Sequence, residues 1–148
     1  MSTAEIVEMN GKQTPPRLAY SELRLPAGLL GFERFKDYLL VARAEEAPFR
    51  RLEVKDNASL MFIVIEPAFV LPDYRPDIPA SDAEFLELLS PEEALVYNIV
   101  TLQGPGRATV NLKGPIVINR RTNVAKQVVL ANAAEYSVEH PLPVTEPA

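Results

Sequence analysis

The chain has no cysteine and only one histidine, His140, among its 148 residues. Without cysteine it can form no disulfide, no thiolate metal site and no iron–sulfur cluster, and it has no thiol nucleophile. One histidine is too few for a histidine-based metal centre, and a carboxylate site for Mg²⁺ or Ca²⁺ would need several converging acids. The composition therefore predicts a protein without a metal or a cofactor.

Long apolar runs are missing as well. No stretch approaches the roughly 20 apolar residues that a membrane-spanning helix needs. The first residues, MSTAEIVEMNGKQ, lack the basic start and apolar centre of a secretory signal peptide. The sequence therefore predicts a cytoplasmic protein that does not associate with membranes.

Motifs of catalysis are also absent. The nucleophile elbow, the P-loop and the dinucleotide fingerprint do not occur. The run GLLGF at 28–32 has two glycines but no third, so a turn explains it better than a phosphate cradle. Asp73 and Asp77 flank Tyr74 and could pair for acid–base work, but a solvated acidic loop explains them better. We expect a protein that is not an enzyme.

Apolar alternation and branched residues predict a mainly β protein. Leu60 to Ile65 is apolar on both faces and should form a central strand. Gly114-Pro115 marks a bulge or a crossing point between sheets. Further strands are predicted at 17–25, 38–42, 49–54, 94–102, 108–112, 115–119 and 124–130. The expectation is a single-domain β-barrel-like fold of about eight short strands, spanning 1–148 with an ordered core of about 16–141 and loose termini.

One or two short helices should interrupt the strands. Ser81 followed by Glu84 matches a capping box, the signature of a helix start. Phe85, Leu88 and Leu89 would then form the buried stripe of that helix. Pro91 opens a second helix, which can be only about one turn long because a strand follows it.

Charge is distributed unevenly along the chain. Residues 66–93 carry eight acidic residues and one basic residue, whereas residues 107–130 carry five basic residues and no acidic one. Solvated surfaces would explain each count alone. The alternatives are an acidic face that binds a basic protein or a basic face that binds RNA, since such asymmetry concerns partners rather than fold.

Within the acidic segment, apolar and proline residues alternate with the charges. Proline stiffening reduces the entropy lost on docking, and aromatic anchors supply binding energy. Alternatively, Phe69 and Tyr74 could simply pack back onto the sheet. The candidate anchors are Phe69, Leu71 and Tyr74, with Pro72 as a further contact, and the candidate charges are Asp73, Asp77, Asp82, Glu84 and Glu87.

The basic segment supports a weaker alternative, an RNA-binding β-barrel. Its candidate RNA contacts are Arg107, Lys113, Arg120, Arg121 and Lys126. Residues 103–130 contain no aromatic side chain, although surfaces that bind single strands usually interleave aromatic and basic residues. The leading hypothesis is therefore a protein partner, with no direct contact to nucleic acid.

Four motifs resemble the bacterial flagellar assembly factor family (FliW-type). The first matches that family's Pro-x-Gly-Leu-x-Gly-Phe-Glu at Pro26 to Glu33. The match extends over most of the chain, from about Leu23 to Leu142. The remaining motifs lie in the segments EPAFVLPDYRPDIP, NIVTL and NLKGPIVINRRTNVAKQVVL.

The resemblance implies a non-enzymatic β-barrel-like protein with two partners. One is the carbon storage regulator, a small basic RNA-binding repressor. The factor would block the binding of this repressor to flagellin mRNA. The other is flagellin itself, whose site could lie on the basic hairpin, on a strand edge, or over the repressor site. The matched polar residues that the resemblance adds as partner-binding candidates are Asn98, Thr101, Asn111 and Asn119.

Overall fold

The computed structural model describes residues 18–143 and shows nine strands and one short helix in that range. The predicted loose ends fall mostly outside these residues. No helix in this range is long and apolar enough to cross a membrane. The strands are β1 (Leu18–Arg24), β2 (Asp37–Arg43), β3 (Phe49–Val54), β4 (Asn57–Ile65), β5 (Ala94–Gly104), β6 (Arg107–Val110), β7 (Ile116–Asn119), β8 (Ala125–Gln127) and β9 (His140–Pro143), and the helix is α1 (Ala80–Phe85).

All strand pairs are antiparallel and follow the order β1-β2-β3-β4-β5-β6-β9, with β7 and β8 branching from β5. The mainly β prediction is confirmed, but the sheet does not close into a barrel. Outside this ladder, β1 meets the β7–β8 hairpin at one isolated bridge between Arg24 and Val124. There the Arg24 amide donates to the Asn123 carbonyl at 3.0 Å. The description "barrel-like" is therefore approximate.

Strand β5 is shared by the two branches of the sheet. Its first half, Ala94 to Tyr97, pairs with β7, whereas residues from Asn98 onward pair with β4 and β6. The chain leaves β6 at Val110 and enters β7 at Ile116, so it crosses from one branch to the other at Gly114-Pro115. The predicted crossing point is confirmed.

The core follows from the apolar pattern of the strands. Strand β4 lies between β3 and β5, as its apolar sequence predicted. All four residues of β7 are buried, because β7 packs between the main cluster around Tyr38 and Leu52 and a smaller cluster around Leu86. A third cluster, around Val110 and Leu112, lies under the acidic segment.

One local prediction about α1 is wrong, and a second is wrong in part. The helix begins at Ala80 after Pro79, and no side chain caps it, so Ser81 and Glu84 form no capping box. The expected stripe fails in part: Leu88 is partly buried against the cluster around Leu86, but Phe85 is 46% and Leu89 79% exposed. The cause is length, since α1 has six residues and Glu87, with φ of 55°, redirects the chain before Leu88.

The turn Pro91–Glu93 is the one-turn helix that Pro91 predicted, of the 3₁₀ type. Strand β9 was not predicted. Its two prolines argue against a strand, but β9 pairs with β6 and with no other named strand of the described chain, and an edge strand tolerates proline.

Candidate partner-binding surface

The first half of the acidic segment is anchored to the sheet by Tyr74. Its hydroxyl donates to the Leu112 carbonyl at 2.7 Å, and its ring meets Tyr136 edge-on at 4.8 Å between centroids. Burial raises the pKa of the Tyr74 hydroxyl above its ordinary value. Leu71, like Tyr74, packs against the core cluster around Val110 and Leu112. These two predicted anchors thus pack back onto the sheet and hold the loop in place.

The side chain of Asn132 holds the next part of the loop. Its amide donates to the Arg75 carbonyl at 2.9 Å, and its oxygen accepts from the Asp77 amide at 3.0 Å. The Asp77 carbonyl in turn accepts from the Ala131 amide at 2.8 Å. The loop backbone is therefore fixed, while the side chains of Asp73 and Asp77 are exposed.

Phe69 and Pro72 are also exposed on residues 69–77, which we call the acidic loop. Phe69 is 60% exposed and stands at the end of a 3₁₀ turn, Pro67–Phe69. It lines an open groove of about 650 Å³ together with Arg43 and Arg50. The acidic loop thus presents two acids, one base (Arg75), a proline and one aromatic ring to solvent.

Asn98 and Asn119 are completely buried, so their predicted role as partner-contact residues is wrong. Both instead hold parts of the fold together through hydrogen bonds. The Asn98 amide donates to the Asn111 carbonyl at 3.0 Å and lies 3.4 Å from the Tyr74 hydroxyl. Its buried oxygen has no hydrogen-bond partner among the described residues. Asn98 therefore connects β5 to the anchor of the acidic loop.

Asn119 connects the end of β7 to the chain after α1. Its amide nitrogen donates to the carbonyls of Leu86 at 2.8 Å and Glu87 at 3.4 Å. Its amide oxygen accepts from the backbone of Arg121 at 2.8 Å and Thr122 at 3.3 Å. This one side chain thereby fixes both the turn after α1 and the tip of the β7–β8 hairpin.

The remaining two candidates differ in exposure. Asn111 is half-buried, and its oxygen accepts from the amides of Lys113 at 3.0 Å and Gly114 at 2.9 Å, which shapes the crossing to β7. Thr101 is exposed on β5 opposite Thr109. Of the four polar residues that the resemblance added, Thr101 is the one with a freely exposed side chain.

Ion pairs connect the acidic segment to the basic segment, which the sequence did not reveal. Lys126 forms an ion pair with Asp82 and lies 5.4 Å from the centroid of the Phe85 ring. Arg121 pairs with Glu93 at 3.1 Å. These pairs neutralise part of the charge asymmetry and attach the basic hairpin to the acidic segment.

The predicted basic patch is spread over the molecule. In the strand register, Arg107 lies opposite Gly104 at one end of β5. Asn119, the residue before Arg120, lies opposite Ala94 at the other end. At about 3.3 Å per residue, these ends lie roughly 30 Å apart. Arg121 and Lys126, two of its five bases, are also held in ion pairs with acids, so the basic charge available to RNA is smaller than the sequence suggested.

An apolar groove that the sequence did not predict lies beside α1. It has a volume of about 510 Å³ and is lined by Pro76, Ile78, Ala83, Leu88, Leu89, Ser90, Pro91, Ala94 and Val96. We call it the α1 groove. The signal that could have revealed it is Leu89, an apolar residue directly before Ser90-Pro91, where the short helix could no longer bury it.

The described residues also bear on metal binding. Between 18 and 143, no three side chains of the His, Asp and Glu types come together in a way that could hold a metal ion.

Comparison with known proteins defines the class. The family model described as FliW protein matches residues 7–142. Flagellar assembly factors FliW from Natranaerobius thermophilus and Bacillus subtilis are 35% and 33% identical, covering 81% and 78% of this chain and 80% and 81% of their own. A crystal structure of the flagellar assembly factor FliW superposes with a TM-score of 0.73 at 32% identity, covering 81% of this chain and 84% of that one.

Fold and relatives together define a mainly β protein of the flagellar assembly factor class. Within that class, the chain belongs to the FliW family.

Proposed function

We propose that this protein is a cytoplasmic, non-enzymatic regulator that binds and antagonises the carbon storage regulator and also binds flagellin. Free flagellin would occupy the protein, release the repressor and so couple flagellin translation to secretion. Family membership supports a role in flagellar assembly. The observation that carries the repressor-binding part is the acidic loop, whose backbone is fixed while Asp73 and Asp77 are exposed.

The physical reason is complementarity between charges held in place. A repressor that binds RNA has a basic surface. A loop already ordered by Tyr74 and Asn132 loses little conformational entropy on docking. Complementary charge accelerates association more than it strengthens the final complex, so the exposed acids should act mainly on the association rate. Phe69, Pro72 and Thr101 would supply neutral contact area.

A three-component titration tests this function directly. It combines this protein, the purified repressor and labelled flagellin leader RNA. We expect this protein to displace the RNA from the repressor without binding RNA itself, and flagellin to restore the repressor–RNA complex. RNA that stays on the repressor, or that binds directly to this protein, would contradict the proposal.

Charge reversal tests the acidic loop. The double variant Asp73→Lys, Asp77→Lys should associate with the repressor about tenfold more slowly, as expected of steering charges. Its melting temperature should stay nearly unchanged, because both side chains are exposed. The matched control is Asp56→Lys, Glu139→Lys, which changes net charge equally at exposed positions outside the acidic segment. Equal association rates for the two doubles would remove the loop from the proposed interface.

A further inference from the structure

The α1 groove presents an apolar surface that the fold leaves uncovered. Eight of its nine lining residues are apolar. Leu89 is 79% exposed, the largest fraction among the large apolar side chains of the described residues. An apolar groove with a projecting leucine matches the anatomy of an interface centre, where apolar side chains are desolvated on binding.

The backbone around Leu89 is fixed before any partner arrives. The Leu89 amide donates to Glu93 Oε1 at 2.8 Å, and Glu93 is also held by Arg121. The Leu88 amide donates to the Ala83 carbonyl at 3.0 Å, and Asn119 holds the Leu86 carbonyl. A groove ordered in this way gains more affinity from a given contact than a mobile one.

The rim of the groove is acidic. Glu84, Glu87 and Glu92 are exposed and adjoin the lining residues in sequence, as does Asp77. None of the four takes part in an ion pair within residues 18–143, whereas Asp82 and Glu93, on the same segment, are paired. Arg75, next to Pro76, is the one exposed base that adjoins the lining residues in sequence, so the four unpaired acids leave the rim with a net negative charge.

We propose that the α1 groove receives an apolar side chain from a basic segment of the RNA-binding repressor, with lysine or arginine residues of that segment on the acidic rim. This inference rests on the proposed function and assigns the centre of that interface. Charge complementarity selects the occupant, because a basic chain is attracted to the rim. A second copy of this chain, with net charge −5, would bring like charge to it.

The first test is removal of the anchor. Leu89→Ser deletes an exposed side chain, so the fold should keep its melting temperature, while affinity for the purified repressor should fall about tenfold or more, as for a truncated central contact. The control is Leu102→Ser on β5, also exposed (62%) and outside the groove, which should bind like the unmodified protein.

The second test is reversal of the rim. Glu84→Lys, Glu92→Lys should weaken repressor binding and flatten its dependence on salt, because exposed charges are screened. The double Asp56→Lys, Glu139→Lys has the same net charge and should keep the full dependence. A rim variant that behaves like this control would overturn the inference.

The outcomes separate the inference from the function on which it rests. If the unmodified protein fails to bind the repressor, the proposed function itself is wrong. If it binds and Leu89→Ser binds equally well, the groove assignment alone is overturned. Loss of flagellin binding in Leu89→Ser, with repressor binding intact, would also overturn the assignment, because the groove would then serve the other partner.

Discussion

Asn119→Ala should be among the most destabilising single substitutions in this protein. The side chain is completely buried and makes two short hydrogen bonds of 2.8 Å and two longer ones of 3.3 and 3.4 Å. A net hydrogen bond contributes about 1 kcal/mol, and leaving a buried partner unsatisfied costs about 1–3 kcal/mol. We therefore expect a loss of about 2–4 kcal/mol in the free energy of unfolding.

Urea denaturation followed by circular dichroism measures this loss. For a domain of this size, the melting temperature should fall by roughly 10 °C. Asn119→Asp should be no better at neutral pH, because it places a carboxylate oxygen where an amide now donates to the carbonyls of Leu86 and Glu87. Gln103→Ala, the loss of an exposed amide on β5, is the control. A loss below about 1 kcal/mol in Asn119→Ala would refute the conclusion that Asn119 holds the turn after α1 and the tip of the β7–β8 hairpin in place.

Three further predictions concern the turn after β1, acid stability and the loop anchor. Gly28→Ala should lower the melting temperature far more than Gly31→Ala. Both glycines have positive φ, but a Cβ at Gly28 would lie 2.6 Å from Glu33 Cα, whereas a Cβ at Gly31 would meet open space. Similar melting temperatures for the two variants would contradict this. Hydrogen bonds from the Leu89 amide and, to a lesser extent, from Arg121 lower the pKa of Glu93 below its unfolded value of about 4.5. The ionised Glu93 carboxylate therefore stabilises the fold above pH 4.5, and this stabilisation is lost as the pH falls through the folded pKa. The urea midpoint of Glu93→Gln should accordingly fall less steeply below pH 4.5 than that of the unmodified protein, and parallel curves would count against it. Tyr74→Phe should lower the free energy of unfolding by about 1–2 kcal/mol, because the Leu112 carbonyl loses its 2.7 Å partner. An unchanged urea midpoint would show that the hydroxyl is dispensable.

Local pattern predicted most of the strands because each depends on the alternation of its own residues. β4 is central because it is apolar on both faces, and the crossing at Gly114-Pro115 follows from two residues that disfavour a regular strand. The motif at Pro91 likewise predicted a single turn. These predictions needed no knowledge of distant parts of the chain.

The failures share a different cause, which is dependence on distant residues. β9 exists because the edge of β6 accepts it, and nothing in its own proline-rich sequence indicates a strand. Asn98 and Asn119 resemble polar strand residues that could face a partner, yet their side-chain amides donate to carbonyls 13 and 33 positions away. The pairing of Lys126 with Asp82 joins residues 44 positions apart, so counts along the sequence overstated the separation of charge.

The sharing of β5 between two branches has a consequence for the order of assembly. Neither branch can complete its hydrogen bonding until β5 is in place, since β4, β6 and β7 all pair with it. Partial opening of one branch would therefore leave β5 held by the other. We expect the backbone amides of Tyr97 to Val100, where the branches meet, to exchange with deuterium only when the whole molecule unfolds, and those of the edge strand β9 to exchange far sooner.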